Sequence, residues 1–462
     1  MSNVDPNQPG QQPGWQQSQP GQSQPGWQQP GQPHSQPGQS QPGWQQPGFQ
    51  PTYGSAKNST MARLAIVAAL VLIAGIGGVL VFQVLRDGTG AASADEAVDN
   101  VIEAFDNEDF LTIGESLVPN EREAAYEPTL DLLLELERLD VVEDGTSEDG
   151  VSGLDITVTG VEPRIEPVTE SISWVTLDTG TITTVTTPSE LPAGDLLKDD
   201  VVDKPVETET TILSEDPINF AVVEYEGDWY VSIYYSIAEA ARRDAGKSIP
   251  NPAAAPQPVG SDSPEALMED LIQQTSDLHA QGILTLMDPE EFEAAYEYSS
   301  LYLPEAQAEF EELRVEAVEE QLTWTVDRVA AKTVERNGDT VVIVTEIAMT
   351  YVSKGQSGTA TWDGQCFRAE FDGESRSSCR QDAIDEMGAD DPASPLIRAE
   401  YGLRVVERDG RWYVAGYPSL AGGYLDGLES LTPAQLEALF SDEADSRGGI
   451  GGLFDEVDGI TI

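Results

Sequence analysis

EREAAYE, at Glu121–Glu127, comes back as EFEAAYE at Glu291–Glu297, and this echo decides how the chain is read. Further on, EGDWYV at Glu226–Val231 is matched by DGRWYV at Asp409–Val414. Ahead of each acidic motif lies a stretch that opens with a helix-capping serine, Ser93 to Asn107 and Ser263 to Ala280. Apolar residues such as Val98, Ile102 and Phe105 follow at helical spacing. The same motifs in the same order, with an insertion in the second copy, mean a duplication. The Pro/Ala stretch PNPAAAPQPVG, Pro250–Gly260, then joins the copies.

Within each copy, helical patterns precede strands. The first copy has helical periodicity over Ala94–Leu117 and Glu121–Leu139. Alternating β-branched runs follow at Leu154–Val161, Ser171–Thr187, Val206–Leu213, Phe220–Tyr225 and Trp229–Tyr235. The second copy has Leu322–Glu335, an Asn337-Gly338 hairpin turn, Thr340–Val352, and Arg404–Tyr417 bent at Asp409-Gly410. Helices on an antiparallel sheet predict an α+β fold in two tandem domains, residues 93–247 and 263–430, joined by residues 248–262. Residues 431–462 begin with a capping box at Thr432-Pro433-Ala434-Gln435 and trail into an acidic, Gly-rich tail.

Upstream, LAIVAALVLIAGIGGVLVFQVL at Leu64–Leu85 is apolar but for Gln83. Its 22 residues would extend about 33 Å as a helix, enough for one transmembrane span. Lys57 and Arg63 precede it and favour a cytoplasmic N-terminus, which places the bulk of the chain outside the plasma membrane. A cleaved secretory signal is the rival reading, since Ala92-Ser93-Ala94 resembles a cleavage site. Residues 1–60 are built from Gln, Pro, Gly and Ser, with QPGWQQ at Gln12–Gln17, Gln24–Gln29 and Gln41–Gln46. Such a composition predicts a disordered tail whose Trp15, Trp27, Trp44 and Phe49 are spaced for weak multivalent contacts.

Charge excludes one class of partner. The chain has 24 Lys and Arg against 82 Asp and Glu, a net charge of −58. Up to residue 87 only Asp5, Lys57, Arg63, Arg86 and Asp87 are charged. Taking away these three bases and two acids leaves 21 against 80 in the remainder. A polyanion repels phosphate backbones and anionic headgroups, so nucleic acid is excluded and basic partners are favoured. DGTSEDG at Asp144–Gly150 lacks the alternating ligands of an EF-hand loop.

The two cysteines, Cys366 and Cys379, flank a segment with a turn-like Asp372-Gly373 at its middle. That spacing suits a disulfide pinning a hairpin in an oxidising compartment, with two unpaired thiols as the alternative. The only histidines are His34 and His279, too few for a Cys/His metal cluster.

Helices followed by strands, closed by a WYV strand after an acidic hairpin, resemble the NTF2-like or SnoaL-like (cystatin-like cone) domains of single-pass actinobacterial membrane proteins. The resemblance covers roughly Ser93–Ala245 and Ser263–Tyr424. It implies a curved sheet and helices around a pocket that serves catalysis, ligand binding or packing alone. Enzymes of that family line the pocket with a His/Asp or Tyr/Asp pair, whereas His279 has no counterpart in the first copy. Tyr126 and Tyr296 recur in the acidic motif, and Trp229, Tyr230, Trp412 and Tyr413 in the closing strand. These aromatics either anchor helices to the sheet or line a pocket.

Neither a nucleophile elbow, a phosphate loop nor a Ser or Cys triad occurs, and with so many carboxylates a paired-acid site is uninformative. The expectation is a membrane-anchored, extracytoplasmic binding or scaffolding protein without catalysis, cofactor or metal, engaging an envelope protein. The alternatives are a carrier of a small apolar ligand or lipid for an envelope transporter, and a carboxylate-based enzyme.

Overall fold

The computed structural model describes residues 90–146 and 152–440. The Gln/Pro-rich tail, residues 64–85, the stretch 147–151 and residues 441–462 lie outside them. Both repeats fall within a single compact unit.

The first repeat runs α1 (Ala94–Asp106), α2 (Phe110–Glu115), α3 (Pro119–Arg138), β1 (Leu154–Thr159), β2 (Pro163–Pro167), β3 (Ile172–Leu177), β4 (Thr181–Thr186), α4 (Lys198–Val201), β5 (Glu207–Ile212), β6 (Ile218–Tyr225), β7 (Asp228–Ser232) and α5 (Ile233–Asp244). The second begins with α6 (Pro264–Ser276), α7 (Ala280–Leu284), α8 (Glu293–Glu297) and α9 (Ser299–Glu319). Five strands follow: β8 (Leu322–Arg336), β9 (Asp339–Ser353), β10 (Gln356–Trp362), β11 (Cys366–Phe371) and β12 (Glu374–Cys379). It closes with α10 (Arg380–Met387), α11 (Ser394–Arg398), β13 (Leu403–Arg408), β14 (Arg411–Val414), α12 (Gly416–Leu428) and α13 (Pro433–Leu439).

The capping serines do what their position predicts. Ser93 Oγ accepts from Glu96 N at 3.2 Å and Ser263 Oγ from Ala266 N at 3.1 Å, each satisfying one of the amides a helix start leaves unpaired. Thr432 and Gln435 form a complete capping box at α13. The same chain crossings recur in both copies. Ala91 bridges Trp229 and Leu117 bridges Val231 in the first, while Ser261 bridges Trp412 and Met287 bridges Val414 in the second.

The fold is α+β, but the expected transmembrane helix needs correction. No helix among the described residues is long and apolar enough to cross a membrane. The two longest, α3 and α9, carry glutamates throughout, and residues 64–85 themselves lie outside the described set.

Neither are the repeats beads on a string. The first copy's strands split into a three-stranded sheet, β1-β4-β5, and a four-stranded sheet, β2-β3-β6-β7. The second copy's strands form a single seven-stranded sheet, β12-β11-β10-β9-β13-β14 with β8 also on β9. Each repeat has a core of its own, around Val98, Val175 and Val222 in the first and Leu267, Val342 and Val405 in the second. Two further cores are shared. One joins Trp174, Val223 and Tyr235 of the first repeat to Ala294 and Tyr298 of the second; the other joins Leu136, Leu139 and Leu197 to Leu431 and Leu436 of the C-terminal segment, with Leu396 and Leu428 of the second repeat packed against it. The Pro/Ala joint is tied down as well, Val259 N donating to Thr285 O at 2.9 Å.

Candidate functional site

Of the recurring aromatics, all but Tyr126 are packed or buried in the structure. Trp229 and Trp412 pack against the two private cores, Tyr230 is buried in the shared core with Trp174 and Tyr235, and Tyr413 is buried. A Cβ at Gly90 would sit 2.4 Å from Tyr230 Cζ, and one at Gly260 2.7 Å from Tyr413 Cζ, so a glycine stands at this crossing in both copies. Tyr296 is buried and its hydroxyl donates to Leu284 O at 2.6 Å and Met287 O at 3.0 Å. Tyr126 lies on α3, and its side chain is outside those described.

What the motif carries instead is its first residue. Glu121 and Glu291 are 5% and 3% exposed, and each caps the helix after the WYV strand of its own repeat. Glu121 accepts from Ser232 Oγ and from Ile233 N at 2.6 Å; Glu291 accepts from Gly416 N and Tyr417 N, both at 2.6 Å. A carboxylate at a helix N-terminus is favoured by the amides it satisfies and by the helix dipole. Burial nonetheless pushes the Glu121 carboxyl up to about 7, against the hydrogen bond from Ser232, and pushes Glu291 upward too. A raised carboxyl is what a general acid needs, but these oxygens are already committed to helix ends.

The pair also stitches the repeats together. Tyr234 of α5 donates to Glu291 at 3.1 Å and stacks with Phe292 at 6.3 Å. Reciprocally, Tyr417 of α12 lies 3.0 Å from Thr129 Oγ1 on α3, and Asn120 Nδ2 donates to Glu290 O at 2.5 Å. Tyr298 donates to the buried Glu239 of the other repeat at 3.0 Å. Arg242 and Arg243 also hold that carboxylate, which stays below the usual range although burial opposes ionisation.

The second repeat builds a different kind of surface away from this junction. Across an antiparallel ladder, paired residues share a face. Through β8, β9, β10 and β11 the register aligns Trp324, Tyr351, Gly358 and Phe371 in one row, and Val326, Met349, Ala360 and Ala369 in the next. A third row holds Val329, Ile347, Trp362 and Phe367. The opposite face carries Thr323, Thr325, Thr350, Thr359, Thr361 and Arg368.

The three rows make a broad aromatic face. Tyr351 and Phe371 stack at 5.7 Å over Gly358, where a Cβ would lie 2.5 Å from Tyr351 Cζ. Gly358 is the only buried residue of the three rows, and Phe367 is 48% exposed. At the margins, Trp324 Nε1 donates to Ser276 O at 3.0 Å and Arg380 lies over Trp362 at 5.4 Å. The Cys366–Cys379 disulfide ties β11 to the outermost strand β12, its Cα atoms 4.0 Å apart in directly paired positions.

The first repeat's outlying sheet is polar. A cleft of about 350 Å³ on it is lined by Thr184, Thr186, Glu207, Thr208 and Glu209, a lining of hydroxyls and carboxylates. Among the described residues no group of His, Cys, Asp and Glu side chains is arranged to hold a metal ion. His279 Nδ1 lies 2.6 Å from Gln274 Oε1, in a local contact between helices α6 and α7.

No protein-family model matches the chain, and no curated protein matches it in sequence. Among solved structures, a cystatin-like protein from Ruminococcus gnavus aligns with 71% of this chain and 96% of its own length, at 11% identity and a TM-score of 0.15. At that score the likeness carries no argument.

Proposed function

We propose that this chain is a non-catalytic binding protein of an oxidising, extracytoplasmic compartment, and that it engages a protein partner through the aromatic face of its second repeat. The observation that carries the reading is that face: three rows of apolar and aromatic side chains outside every core, on strands whose opposite face there carries mostly threonines and charged residues. Contiguous half-buried apolar surface outside a core is characteristic of interaction sites, and aromatic residues dominate their energetics. The disulfide supports an oxidising compartment. Protein binding is favoured over a small-ligand carrier because the repeated aromatics fill cores rather than line a cavity, and because the cleft described is polar. The order of helices then strands in each repeat supports descent from an NTF2-like cone, with the second copy's sheet extended outward.

Native mass spectrometry on the protein recovered from its own source tests this. A complex with a defined protein is expected, lost on Phe367→Ser/Phe371→Ser while the variant keeps its fold. A discrete small-molecule adduct on the intact protein, with no protein partner, would replace this reading with the carrier.

A further inference from the structure

Most of the sheet edges in this protein are closed to further strands. Along β1 the amides of Ile156 and Val158 donate to the carboxylates of Glu108 and Asp106, at 2.9 and 2.8 Å. β2 has a proline at each end, Pro163 and Pro167, and β7 and β14 are crossed by the bridges from Ala91, Leu117, Ser261 and Met287. β8 is broken by two register shifts, and β5 carries Glu207 and Glu209, which repel a like strand. These are devices by which native sheets refuse a further strand. β12 is different. It ends its sheet, pairs with β11 alone among the described residues, and leaves five of its six residues exposed. Its pairing has no shift in register and its sequence no proline.

The outward backbone groups of β12 can be named. Cys366 and Cys379 face each other at 4.0 Å between Cα atoms, a narrow pair that exchanges no backbone bond, and the next pair is bonded, Arg380 N donating to Gln365 O at 3.0 Å. Alternation turns Glu374, Arg376 and Ser378 towards β11 and leaves the N–H and C=O of Ser375, Ser377 and Cys379 pointing out of the sheet. We propose that β12 is the two-fold interface of a homodimer, pairing antiparallel with β12 of a second copy about Ser377. In that register Ser377 faces its own counterpart and Ser375 faces Cys379, each pair exchanging both backbone bonds, while Arg376 faces Ser378. The strand is thus self-complementary, with small serines at the contact and no like charges opposed. Charge favours the same corner. From Cys366 to Arg380, Arg368, Arg376 and Arg380 balance Glu370, Asp372 and Glu374, in a chain whose net charge is −58. Repulsion between two such polyanions is weakest where local charge cancels. Glu374, Arg376 and Ser378 lie on the side of Phe371, Ala369 and Phe367, so the pairing joins the aromatic faces of two copies, yet it does not depend on what those faces bind.

Sedimentation equilibrium of the full chain, at about 1 and about 100 µM in about 0.15 M salt, reads the association. Edge pairing buries less than a standard interface, so a monomer that gives way to a dimer across this range is expected. Ser377→Pro removes an outward N–H and no bond to β11. It should weaken dimerisation at least about tenfold and leave the monomer's thermal midpoint unchanged. A chain that stays monomeric at the higher concentration would overturn the proposal. So would a dimer that Ser377→Pro leaves intact, or one lost only on Phe367→Ser/Phe371→Ser, since the contact would then lie elsewhere. Should Ser377→Pro fail to fold, Ser377→Lys decides in its place by opposing two like charges at the two-fold axis.

Discussion

The two repeats share a frame and differ in what they hang on it. Ala221 in the first and Arg404 in the second occupy the same place. The backbone N–H of each donates to a serine on the following helix, Ser236 at 2.8 Å and Ser419 at 2.9 Å. At that shared position the first repeat has a small apolar side chain and the second a buried guanidinium bound bidentately by Asp426, which Arg336 also pairs at 2.9 Å. The outlying strands diverge further. The first copy has a small threonine- and glutamate-rich sheet, and the second a wide aromatic one. The lesson is that the crossings of the closing strand and the glutamate caps are the conserved geometry of the duplication, while the distal strands were free to specialise.

The largest expected break in that comparison is Arg404→Ala, which gives the second repeat the first repeat's residue. It strips Asp426, 6% exposed, of its bidentate partner and should destabilise by about 3–5 kcal/mol in denaturant unfolding. Loss under 1 kcal/mol would mean that Arg336 alone suffices for Asp426.

Leu139→Ala comes next. Leu139 is fully buried in a core both repeats share, so about 2–5 kcal/mol should be lost. Exchange protection should fall in both copies together; a loss confined to the first would separate the repeats.

Cys366→Ser removes a crosslink spanning 13 residues, worth up to about 3 kcal/mol on chain-entropy grounds. Because the bond joins only β11 and β12, exchange should rise there and leave the first repeat untouched.

The smallest effect on stability is expected from Phe367→Ser, at 48% exposure, within about 0.5 kcal/mol by thermal or denaturant unfolding, although partner binding should weaken. A stability loss of several kcal/mol would mean that the aromatic face is a core in use.

Much of this was legible in the sequence, and the rest failed for identifiable reasons. The Ser93 and Ser263 caps, the Asn337-Gly338 turn and the Cys366–Cys379 pairing follow from local chemistry that neighbours cannot override. The roles of Glu121 and Glu291 were hidden because glutamate is everywhere in this chain. The signal that could have found them is that both recur at the start of the motif, where repeated exposed acids have no reason to be kept. Fusion of the repeats was invisible because apolar periodicity says that Leu139 or Ala294 is buried, not against which copy. The aromatic face was half visible in the alternation Phe367, Ala369, Phe371. Placing Val329 on the same face as Trp324 needs a register that passes a bulge between Val326 and Arg328, which no local pattern reveals. The apolar run at 64–85 remains a feature of sequence alone, without a helix among the described residues to match it.

Differential scanning calorimetry of the full chain tests the central claim, that the two repeats are one cooperative body built around shared cores. A single transition is predicted with calorimetric and van't Hoff enthalpies equal, and Leu139→Ala should shift it whole. Two resolved transitions, only one of them moved by Leu139→Ala, would contradict the account and restore two independent domains.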